Sequence, residues 1–426
     1  IKLKKKKKHY SYLCATYVYI YKVGVMSFST SKQMYSNTRC LKLALRATIC
    51  IIFLLTLIIL VIFTRNNARN TALRMSRQPA PQGSVILFWN GFFQDKRWTL
   101  PADTFHAQCP RANCIFTNQH DFLPSIVDYA AIVFHTARKF TLFYGTPPQR
   151  APNQTYVFAQ LESPTHTWHN FQAESNFYNL TLSYRLDSDV VWSYNVVRTI
   201  ATRQIIAPAL DPIWPAVEVA WTQNDADLLL LIEGKRKMVA WFASNFKVAS
   251  RRERLVKALQ THVQVDVYGK CGTLRCERFN SSCDELLDKD YKFYLSFENS
   301  LCKDYVTEKF FNALQRHIVP VVYGGANYTR FAPPHSYIDA QDFKNASSLA
   351  EYLNYLSEHP YQYAKYFWWR RYYRVEANDG GLHMLPYCEL CERIHSKPTV
   401  RRTQVYEDIN AFWTDKVCTK KARIDF

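Results

Sequence analysis

The chain has 426 residues, of which 54 are Lys or Arg, 35 are Asp or Glu and 12 are Cys, while 48% are apolar. This apolar fraction excludes an intrinsically disordered protein, and the length excludes a small domain held together by disulfides alone. The formal net charge of +19 makes nucleic acid the first partner to consider.

Most of this charge lies in the first 94 residues. They contain fifteen Lys or Arg residues and no acid, because the first acid is Asp95, whereas the rest of the chain has 39 basic and 35 acidic residues. Beyond the tail, the sequence has no zinc-finger spacing, aromatic RNA-binding motif or basic helix with heptads. The helical spacing of the Arg-containing aromatic run at 361–373 favours a helix that packs in the core. We therefore expect no nucleic-acid partner for the folded part.

The basic tail precedes an apolar segment at residues 47–64, ATICIIFLLTLIILVIFT, which has no charge, Gly or Pro. Eighteen such residues are just long enough to cross a membrane, so the segment is predicted to be a transmembrane signal-anchor. A core helix would keep a polar edge, and a cleaved signal peptide would have a shorter apolar run. Residues 1–46 are then a cytoplasmic tail, and residues 65–83 are a stem.

The orientation of this segment follows from the residues beyond it, because the nearby Lys and Arg residues are equal in number on its two sides. Five Asn-x-Ser/Thr sequons follow the segment and none precedes it, which is typical of a lumenal or extracellular domain. These N-glycosylation candidates are Asn153, Asn179, Asn280, Asn327 and Asn345. Residues 1–25 are interpreted as upstream sequence translated in error, before a start at Met26 or Met34, and the alternative for the lysine run 4–8 is a membrane-surface or localisation patch.

Nine of the twelve cysteines also follow the apolar segment, and six of them are close neighbours: Cys109 and Cys114, Cys271 and Cys276, Cys388 and Cys391. Zinc is the alternative to disulfides, but the Cys-x-x-Cys at 388–391 has no second pair at zinc-ribbon spacing. The sequons favour an oxidising compartment, so disulfides are preferred. Because nine is odd, at least one thiol is expected to stay unpaired.

Beyond the stem, short apolar runs alternate with helical patterns. The runs are apolar on both faces, as in parallel strands covered by helices, and they span Ser84–Trp89, Tyr129–His135, Thr155–Leu161, Met238–Ser244, Val263–Gly269, Tyr291–Glu298 and Ile318–Gly325. Apolar residues at helical spacing occupy Ser250–His262 and Asp304–His317. Two such sets predict an α/β protein with two Rossmann-like halves facing a cleft, at 84–222 and 223–395, and a C-terminal extension at 396–426.

Ligands of such sheets bind at the carboxyl ends of the strands. This rule selects the polar residues that follow apolar runs, namely Glu162, Asn245, Glu298 and Asn299. A helix predicted to begin near Asp304, with that side chain as its cap, would turn free N–H groups towards the cleft, with Lys309 one turn in. Such a site suits a nucleotide diphosphate, and the alternative is an ordinary capped, charged helix start.

Four stretches carry a family resemblance. The segment Tyr291–Phe343 contains the unusual core FEN…DYVTEK…PVV, and LESPTHT at 161–167, NLTLSYRLDSDV at 179–190 and FASN at 242–245 precede it in order. In these stretches the chain resembles the α-1,3-fucosyltransferases across residues 84–395. The resemblance implies a type II Golgi membrane enzyme with a GT-B fold that transfers L-fucose, with inversion, from GDP-β-L-fucose to the 3-hydroxyl of a GlcNAc in glycoprotein glycans. It implies no cofactor and no metal.

The resemblance also implies roles for single residues. Glu162 matches the family's proposed general base, and Arg252, with Arg251 as its register rival, matches the arginine that contacts the GDP phosphates. The other donor-site matches are Asn299, Tyr305, Glu308 and Lys309. Lys309 would contact the phosphates and Glu308 the nucleoside and fucose region. Two fixed cations would stabilise the charge on departing GDP without a metal.

Asp187-Ser188-Asp189 looks like the metal-binding DxD of the other major glycosyltransferase fold, although the family resemblance implies a structural role. A metal-dependent transferase of another nucleotide sugar is therefore the first alternative, and a non-catalytic lumenal glycan-binding protein is the second. Glu298 has a structural alternative of its own, the capping of a neighbouring loop.

The family also ties its C-terminal Cys-x-x-Cys to cysteines near the start of the catalytic domain, and the candidates here are Cys388 and Cys391 with Cys109 and Cys114. Local pairs remain the other possibility.

Overall fold

The structure of the protein is a computed structural model, and it describes residues 45–67, 83–92, 109, 113–137, 145–167, 171–214, 223–276, 281–376, 384–395 and 405–426. The chain divides into two compact units, residues 1–80 and 81–426. In the first unit, helix α1 spans Leu45–Asn67 and includes the predicted segment 47–64. Its side chains are exposed, and it is long and apolar enough to cross a membrane.

The second unit contains strands and helices in alternation. Its strands are β1 Ser84–Phe88, β2 Cys114–Thr117, β3 Ala131–His135, β4 Thr155–Gln160, β5 Leu180–Ser183, β6 Val190–Val191, β7 Val196–Thr199, β8 Ile205–Ala207, β9 Lys237–Phe242, β10 Val265–Tyr268, β11 Tyr291–Phe297, β12 Leu301–Cys302, β13 Val319–Tyr323, β14 Ile338–Asp339, β15 Tyr373–Glu376 and β16 Cys418–Thr419. Its helices are α2 Gln223–Gly234, α3 Arg252–Leu259, α4 Ser281–Lys289, α5 Glu308–Leu314, α6 Ala346–Glu358, α7 Pro360–Ala364, α8 Met384–His395 and α9 Ile409–Trp413. Each of the seven predicted strands and both predicted helices is present.

Two parallel sheets organise this unit. Six strands form the first sheet in the order β2-β1-β3-β4-β5-β6, and five form the second in the order β10-β9-β11-β13-β14. Every pairing within the two sheets is parallel. Strand β4 is buried along its whole length, as expected for a strand covered on both faces. The predicted α/β class with two Rossmann-like halves is confirmed.

The strand order also locates the ligand-binding edge. In both sheets the order reverses next to the first strand, between β1 and β3 and between β9 and β11. Open parallel sheets bind ligands at the carboxyl ends of the strands beside such a reversal. Asn245 follows β9 and Glu298 follows β11, so the second sheet brings these two predicted residues to one edge.

The C-terminal part of the chain packs on both sheets. Helix α8 and Trp413 lie in the apolar core of the first sheet, whereas Ile424 lies in the core of the second. Strand β15 pairs antiparallel with β7, and β16 pairs antiparallel with β12. The chain therefore returns to the first half after completing the second, and the division at residues 222 and 395 remains a prediction.

Four disulfides tie this arrangement together: Cys109–Cys388, Cys114–Cys391, Cys276–Cys283 and Cys302–Cys418. The first two confirm the pairing implied by the family resemblance and exclude the local alternative for these four residues. Cys271 is a free thiol, as the odd number of cysteines predicts, because its neighbour Cys276 pairs forward along the chain.

The two bridges to α8 lead to a prediction about stability. Each closes a loop of nearly the same length, with sequence separations of 279 and 277 residues. While one bridge is intact, the other closes only a few further residues. We expect the Cys109→Ala/Cys388→Ala variant to lose about 3 kcal/mol, and removal of the second bridge as well to cost about 5 kcal/mol more. Denaturant unfolding of the three forms measures this, and equal costs for the two steps would contradict it.

The aromatic run at 361–373 packs in the core, but it does not form one regular helix. It continues from α7 into a 3-10 helix at Lys365–Arg371 and then into β15. Tyr363, Phe367 and Trp369 are buried, which accounts for the spacing of the rings.

The sequons differ in accessibility. Asn153 and Asn327 are exposed, whereas Asn345 is the N-cap of α6 and accepts a hydrogen bond from the Ser348 N–H at 3.0 Å. Asn179 is buried, and its Oδ1 accepts from the Tyr156 N–H at 2.8 Å. Asn280 lies outside the described residues. Glycosylation at the accessible sequons remains a prediction.

Asp339, at the end of β14, makes stability depend on pH. Burial, and then the nearby Asp342 charge, raises the pKa of Asp339 from 3.8 to about 6, although its hydrogen bond from Gln341 N–H lowers it. Between these two values the folded chain holds a proton that the unfolded chain has lost, so the stability falls as the pH rises through this window. We expect Asp339→Asn, which keeps an acceptor for Gln341, to raise the free energy of unfolding by about 1–2 kcal/mol at pH 7 and by little at pH 4. Denaturant unfolding at both pH values checks this, and an equal gain at both would contradict it.

Candidate active site

Glu162 lies two residues beyond β4, on the loop that leaves the first sheet. Gln160 Oε1 accepts from the N–H groups of Leu161 and Glu162 at 3.0 and 2.9 Å and so fixes this turn. The half-buried carboxylate accepts a hydrogen bond from the Tyr305 hydroxyl at 3.2 Å. Burial raises the pKa of Glu162, although the Lys309 ammonium and the Tyr305 hydrogen bond partly offset the rise. A carboxylate of raised pKa is suited to take a proton from a neutral hydroxyl.

Arg252 is buried at the start of α3. Its Nη1 donates to the Phe297 carbonyl at 2.5 Å and its Nη2 to the Asn245 carbonyl at 3.0 Å, so the guanidinium spans the carboxyl ends of β11 and β9. Its register rival Arg251 is exposed and in the left-handed region, with a φ of 55°. Among the described residues, Arg252 Nε is a buried donor with no acceptor. Such a donor is costly unless a ligand or a water supplies an oxygen.

Lys309 lies in the first turn of α5 among acidic and hydroxyl groups. Its Nζ is 2.7 Å from Thr307 Oγ1, 3.1 Å from Glu308 Oε1 and 3.3 Å from Glu298 Oε2. Burial would lower the pKa of Lys309, but the carboxylates of Glu298 and Glu308 raise it above its ordinary value. The ammonium is therefore charged at neutral pH and is held at the edge of the second sheet.

The start of α5 differs from the prediction. The helix begins at Glu308 with Thr307 as its N-cap, and Asp304 does not cap it. Asp304 has a φ of 59° and accepts from the Leu186 N–H at 3.3 Å. The fully buried Glu298 carboxylate accepts from the Thr307 N–H at 2.8 Å, just before the helix begins. The cap by Asp304 is wrong, and Glu298 has the capping contact that its structural alternative describes.

A cluster of hydroxyl groups joins the two halves next to Glu162 and was missed at the sequence level. Ser300 Oγ lies 2.7 Å from Ser163 Oγ and 2.6 Å from Thr165 Oγ1, and it donates to Asn299 Oδ1 at 2.9 Å. His166 Nδ1 is 3.1, 3.2 and 3.3 Å from the hydroxyl oxygens of Ser163, Thr165 and Ser300. The strand-end rule stopped at the first polar residue after each strand. Applied through the whole loop, it would have included these side chains.

The DxD-like stretch is engaged by protein donors. Asp187 accepts from Arg185 Nε and Lys303 Nζ, both at 2.8 Å, and these cations lower the pKa of Asp187 to about 2 although burial alone would raise it. Asp189 Oδ2 accepts from the Thr181 N–H and the Tyr406 hydroxyl, both at 2.8 Å. These contacts anchor the first half to Lys303 and the C-terminal segment, which agrees with a structural role.

One group among the described residues has the spacing of metal ligands: Cys114, Cys391 and His395. The two sulfur atoms are bonded to each other in a disulfide and so lack the thiolate charge that zinc requires. His395 Nε2 lies 3.0 Å from the Asn113 carbonyl oxygen. These contacts account for the cluster as a disulfide with an adjacent imidazole.

Comparison with known proteins gives the family. Residues 81–195 match the family model "Fucosyltransferase, N-terminal", and residues 232–413 match "Glycosyltransferase family 10 (fucosyltransferase) C-term". The chain is 45% identical over 347 residues to alpha-(1,3)-fucosyltransferase C of Drosophila melanogaster, and the matched residues cover 80% of each chain. It is 35% identical over 337 residues to the human 4-galactosyl-N-acetylglucosaminide 3-alpha-L-fucosyltransferase FUT5, which covers 74% of this chain and 79% of the human one.

A solved structure is also similar, namely a crystal structure of an alpha1,3-fucosyltransferase with GDP-fucose. It has 19% sequence identity and a TM-score of 0.46, and the match covers 78% of this chain and 94% of that chain. The two family models and the 45% identity to the Drosophila relative decide the assignment. The chain belongs to glycosyltransferase family 10, the α-1,3-fucosyltransferase family that its motifs indicate.

Proposed function

We propose that this enzyme transfers L-fucose from GDP-β-L-fucose to the 3-hydroxyl of a GlcNAc residue in the N-glycans of glycoproteins, with inversion. The observation that carries the proposal is the meeting of one carboxylate, Glu162 of the first half, with Tyr305 and the Lys309 charge of the second. The proposed base for the acceptor, Glu162, and a proposed cation for the leaving group, Lys309, would then come from the two halves to one site. The name of the human relative, a 4-galactosyl-N-acetylglucosaminide 3-alpha-L-fucosyltransferase, supports the 3-hydroxyl of a GlcNAc residue as the acceptor group.

In this mechanism, Glu162 takes the proton of the acceptor hydroxyl as its oxygen bonds to the fucose anomeric carbon. The bond from that carbon to the β-phosphate oxygen breaks in the same step, and its electron pair leaves with GDP. A single displacement accounts for inversion. The raised pKa of Glu162 suits this role, because its carboxylate is more basic than an exposed one.

Arg252 and Lys309 would offset the negative charge that develops on GDP as this bond breaks. Glu308, half-exposed beside Lys309, would contact the nucleoside and fucose region. The other donor-site residues that we assign are Asn245, Asn299 and Tyr305. Glu298 would act on the donor through Lys309, since it is fully buried and bonded to Thr307. Residues 84–222 would then provide the acceptor side and residues 223–395 the donor side.

We further propose a single-pass type II topology in the Golgi membrane. Helix α1 would be the anchor, residues 1–46 the cytoplasmic tail, residues 65–83 the stem, and the unit from residue 84 the lumenal catalytic part. Four disulfides in that unit support an oxidising compartment. Protease protection of the catalytic unit in sealed Golgi vesicles tests this topology.

The reaction is tested with the full chain purified in detergent. GDP-fucose is supplied with an N-glycan bearing only core GlcNAc residues or with a LacNAc-type acceptor, and the linkage of the product is determined. We expect α-1,3-linked fucose on one of them, and which one it is identifies the GlcNAc as core or antennal. Activity lost in EDTA and restored by Mn²⁺ would favour the metal-dependent transferase, and glycan binding without transfer would favour the non-catalytic glycan-binding protein.

A further inference from the structure

The two halves of the catalytic unit touch through a small, partly buried polar cluster beside Glu162. Ser163 and Ser300 are both fully buried, and they come from different halves, 137 residues apart in sequence. The two buried hydroxyls are hydrogen-bonded to each other at 2.7 Å, and separating the loops would break this bond between buried groups. The contact therefore favours one alignment of the loop after β4 with the loop after β11.

Both ends of this cluster continue directly into proposed functional residues. Ser163 follows Glu162 in sequence, and Gln160 holds the main chain of that turn through two hydrogen bonds. On the other side, the Ser300 hydroxyl donates to Asn299 Oδ1 at 2.9 Å. The alignment of the two serines thus fixes the base relative to the donor side.

We propose that the Ser163, Thr165, His166 and Ser300 side chains form a hydrogen-bonded bridge that positions Glu162 against the donor site, with His166 and Ser300 as positioning residues for fucosyl transfer. The proposal rests on the function proposed above. It assigns to His166 and Ser300 an indirect effect on the rate of fucosyl transfer, because both act through the position of Glu162 and neither contacts the reacting atoms.

Counting protons assigns the state of the imidazole. Ser300 donates to Asn299, and the shortest contacts of Ser163 and Thr165 are to Ser300, so all three hydroxyl protons are used within the cluster. His166 Nδ1 then joins the network as a donor, in the tautomer with a proton on Nδ1. Burial, with the charges of Arg252 and Lys309, lowers the pKa of His166, so one ring proton is present at neutral pH.

A serine close to a histidine also resembles a nucleophile with its base, since Ser163 Oγ lies 3.1 Å from His166 Nδ1. The burial of Ser163 argues against that role, because an attacking oxygen must reach the substrate. The same imidazole nitrogen also lies within 3.3 Å of the Thr165 and Ser300 hydroxyls. These contacts are typical of a structural hydrogen-bond network and not of a nucleophile with its base.

The test compares two nearly isosteric replacements of His166 in the full chain in detergent. Asn places an amide near the position of Nδ1 and can donate, whereas Leu has the same shape without a donor. We expect His166→Leu and Ser300→Ala to lower kcat about tenfold or more at saturating substrates, with the Kd for GDP changed less than about twofold. His166→Asn should keep kcat within about threefold of the wild type. The matched control is His262→Leu, at an exposed histidine outside the site, which should change neither quantity.

The possible results distinguish a failure of the proposed bridge from a failure of the proposed function on which it rests. Equal kcat values for the Asn and Leu variants would overturn the role of His166, and a loss confined to GDP affinity would overturn a positioning role for either residue. If the wild-type chain transferred no fucose to any acceptor, the proposed function itself would fail. Because the number of GDP sites per chain in the titration reports the folded fraction of each variant, a loss of kcat through unfolding is recognised as such and counts against the bridge.

Discussion

Replacing Glu162 by Gln is expected to lower kcat at least about a thousandfold while the Kd for GDP changes less than about twofold. Gln keeps the size of the side chain and an acceptor for the Tyr305 hydroxyl, which now bonds Glu162 Oε2 at 3.2 Å. It cannot take a proton, so the acceptor hydroxyl has to attack without a base. Initial rates with saturating GDP-fucose and acceptor measure the loss, and calorimetric titration with GDP measures the affinity.

The matched control is Glu358→Gln, at an exposed position near the end of α6, which should leave both quantities unchanged. In the wild-type enzyme, kcat/KM should fall as the pH falls through the pKa of Glu162 in the free enzyme, because only the ionised carboxylate is a base. Burial raises this pKa, so the acidic limb should lie above the ordinary value of 4.5. Wild-type turnover in Glu162→Gln, or an acidic limb below 4.5, would refute the assignment of the base.

Replacing Lys309 by Ala is expected to weaken GDP binding at least tenfold, or about 1.4 kcal/mol. The ammonium is one of two cations that we assign to the phosphates, and its charge is held at neutral pH by two adjacent carboxylates. The same change should also lower stability by about 3–5 kcal/mol, since it leaves the Glu298 carboxylate buried without its ionic partner. Calorimetric titration with GDP and denaturant unfolding measure the two effects separately.

The double variant Glu298→Gln/Lys309→Ala separates phosphate contact from charge balance. Gln can still accept from the Thr307 N–H, now bonded to Glu298 Oε1 at 2.8 Å, and places no charge at this fully buried position. We expect the double variant to regain most of the lost stability but not the affinity for GDP. An affinity unchanged in Lys309→Ala, or restored in the double variant, would show that the ammonium serves only to neutralise Glu298.

Much of the fold follows from local patterns. Runs such as 155–161 are apolar at every position, which is stable only where helices or loops cover both faces of a strand, and all seven such runs contain strands. The short strands β2 and β5 were not predicted. Their four residues carry too little periodicity to distinguish a strand from a loop, and pairing with β1 and β4 decides their conformation.

The residues of the candidate site were also predicted from the sequence only in part. The strand-end rule and the motifs select Glu162, Arg252 and Lys309, because chain direction in a parallel sheet fixes which residues reach its carboxyl edge. They do not indicate which groups these side chains contact. Asp304 was expected to cap α5, and yet the N-cap is Thr307, whose N–H bonds to Glu298, the residue after β11.

The sequence by itself therefore determined the family, the apolar N-terminal segment, seven strands of the two sheets and the edge at which the site lies, because these depend on residue type and short-range order. Only the tertiary structure decided that Tyr305 bonds Glu162, that Ser163 meets Ser300, and that the C-terminal segment returns to the first sheet. Those contacts join residues more than 130 positions apart, and no local preference specifies them. They depend on how the two halves pack, which is the sum of many weak apolar contacts. The +19 net charge illustrates both points. Most of the excess of Lys and Arg lies in the tail beside the apolar segment, which the sequence alone shows, whereas the positions of the two site cations are set by the fold.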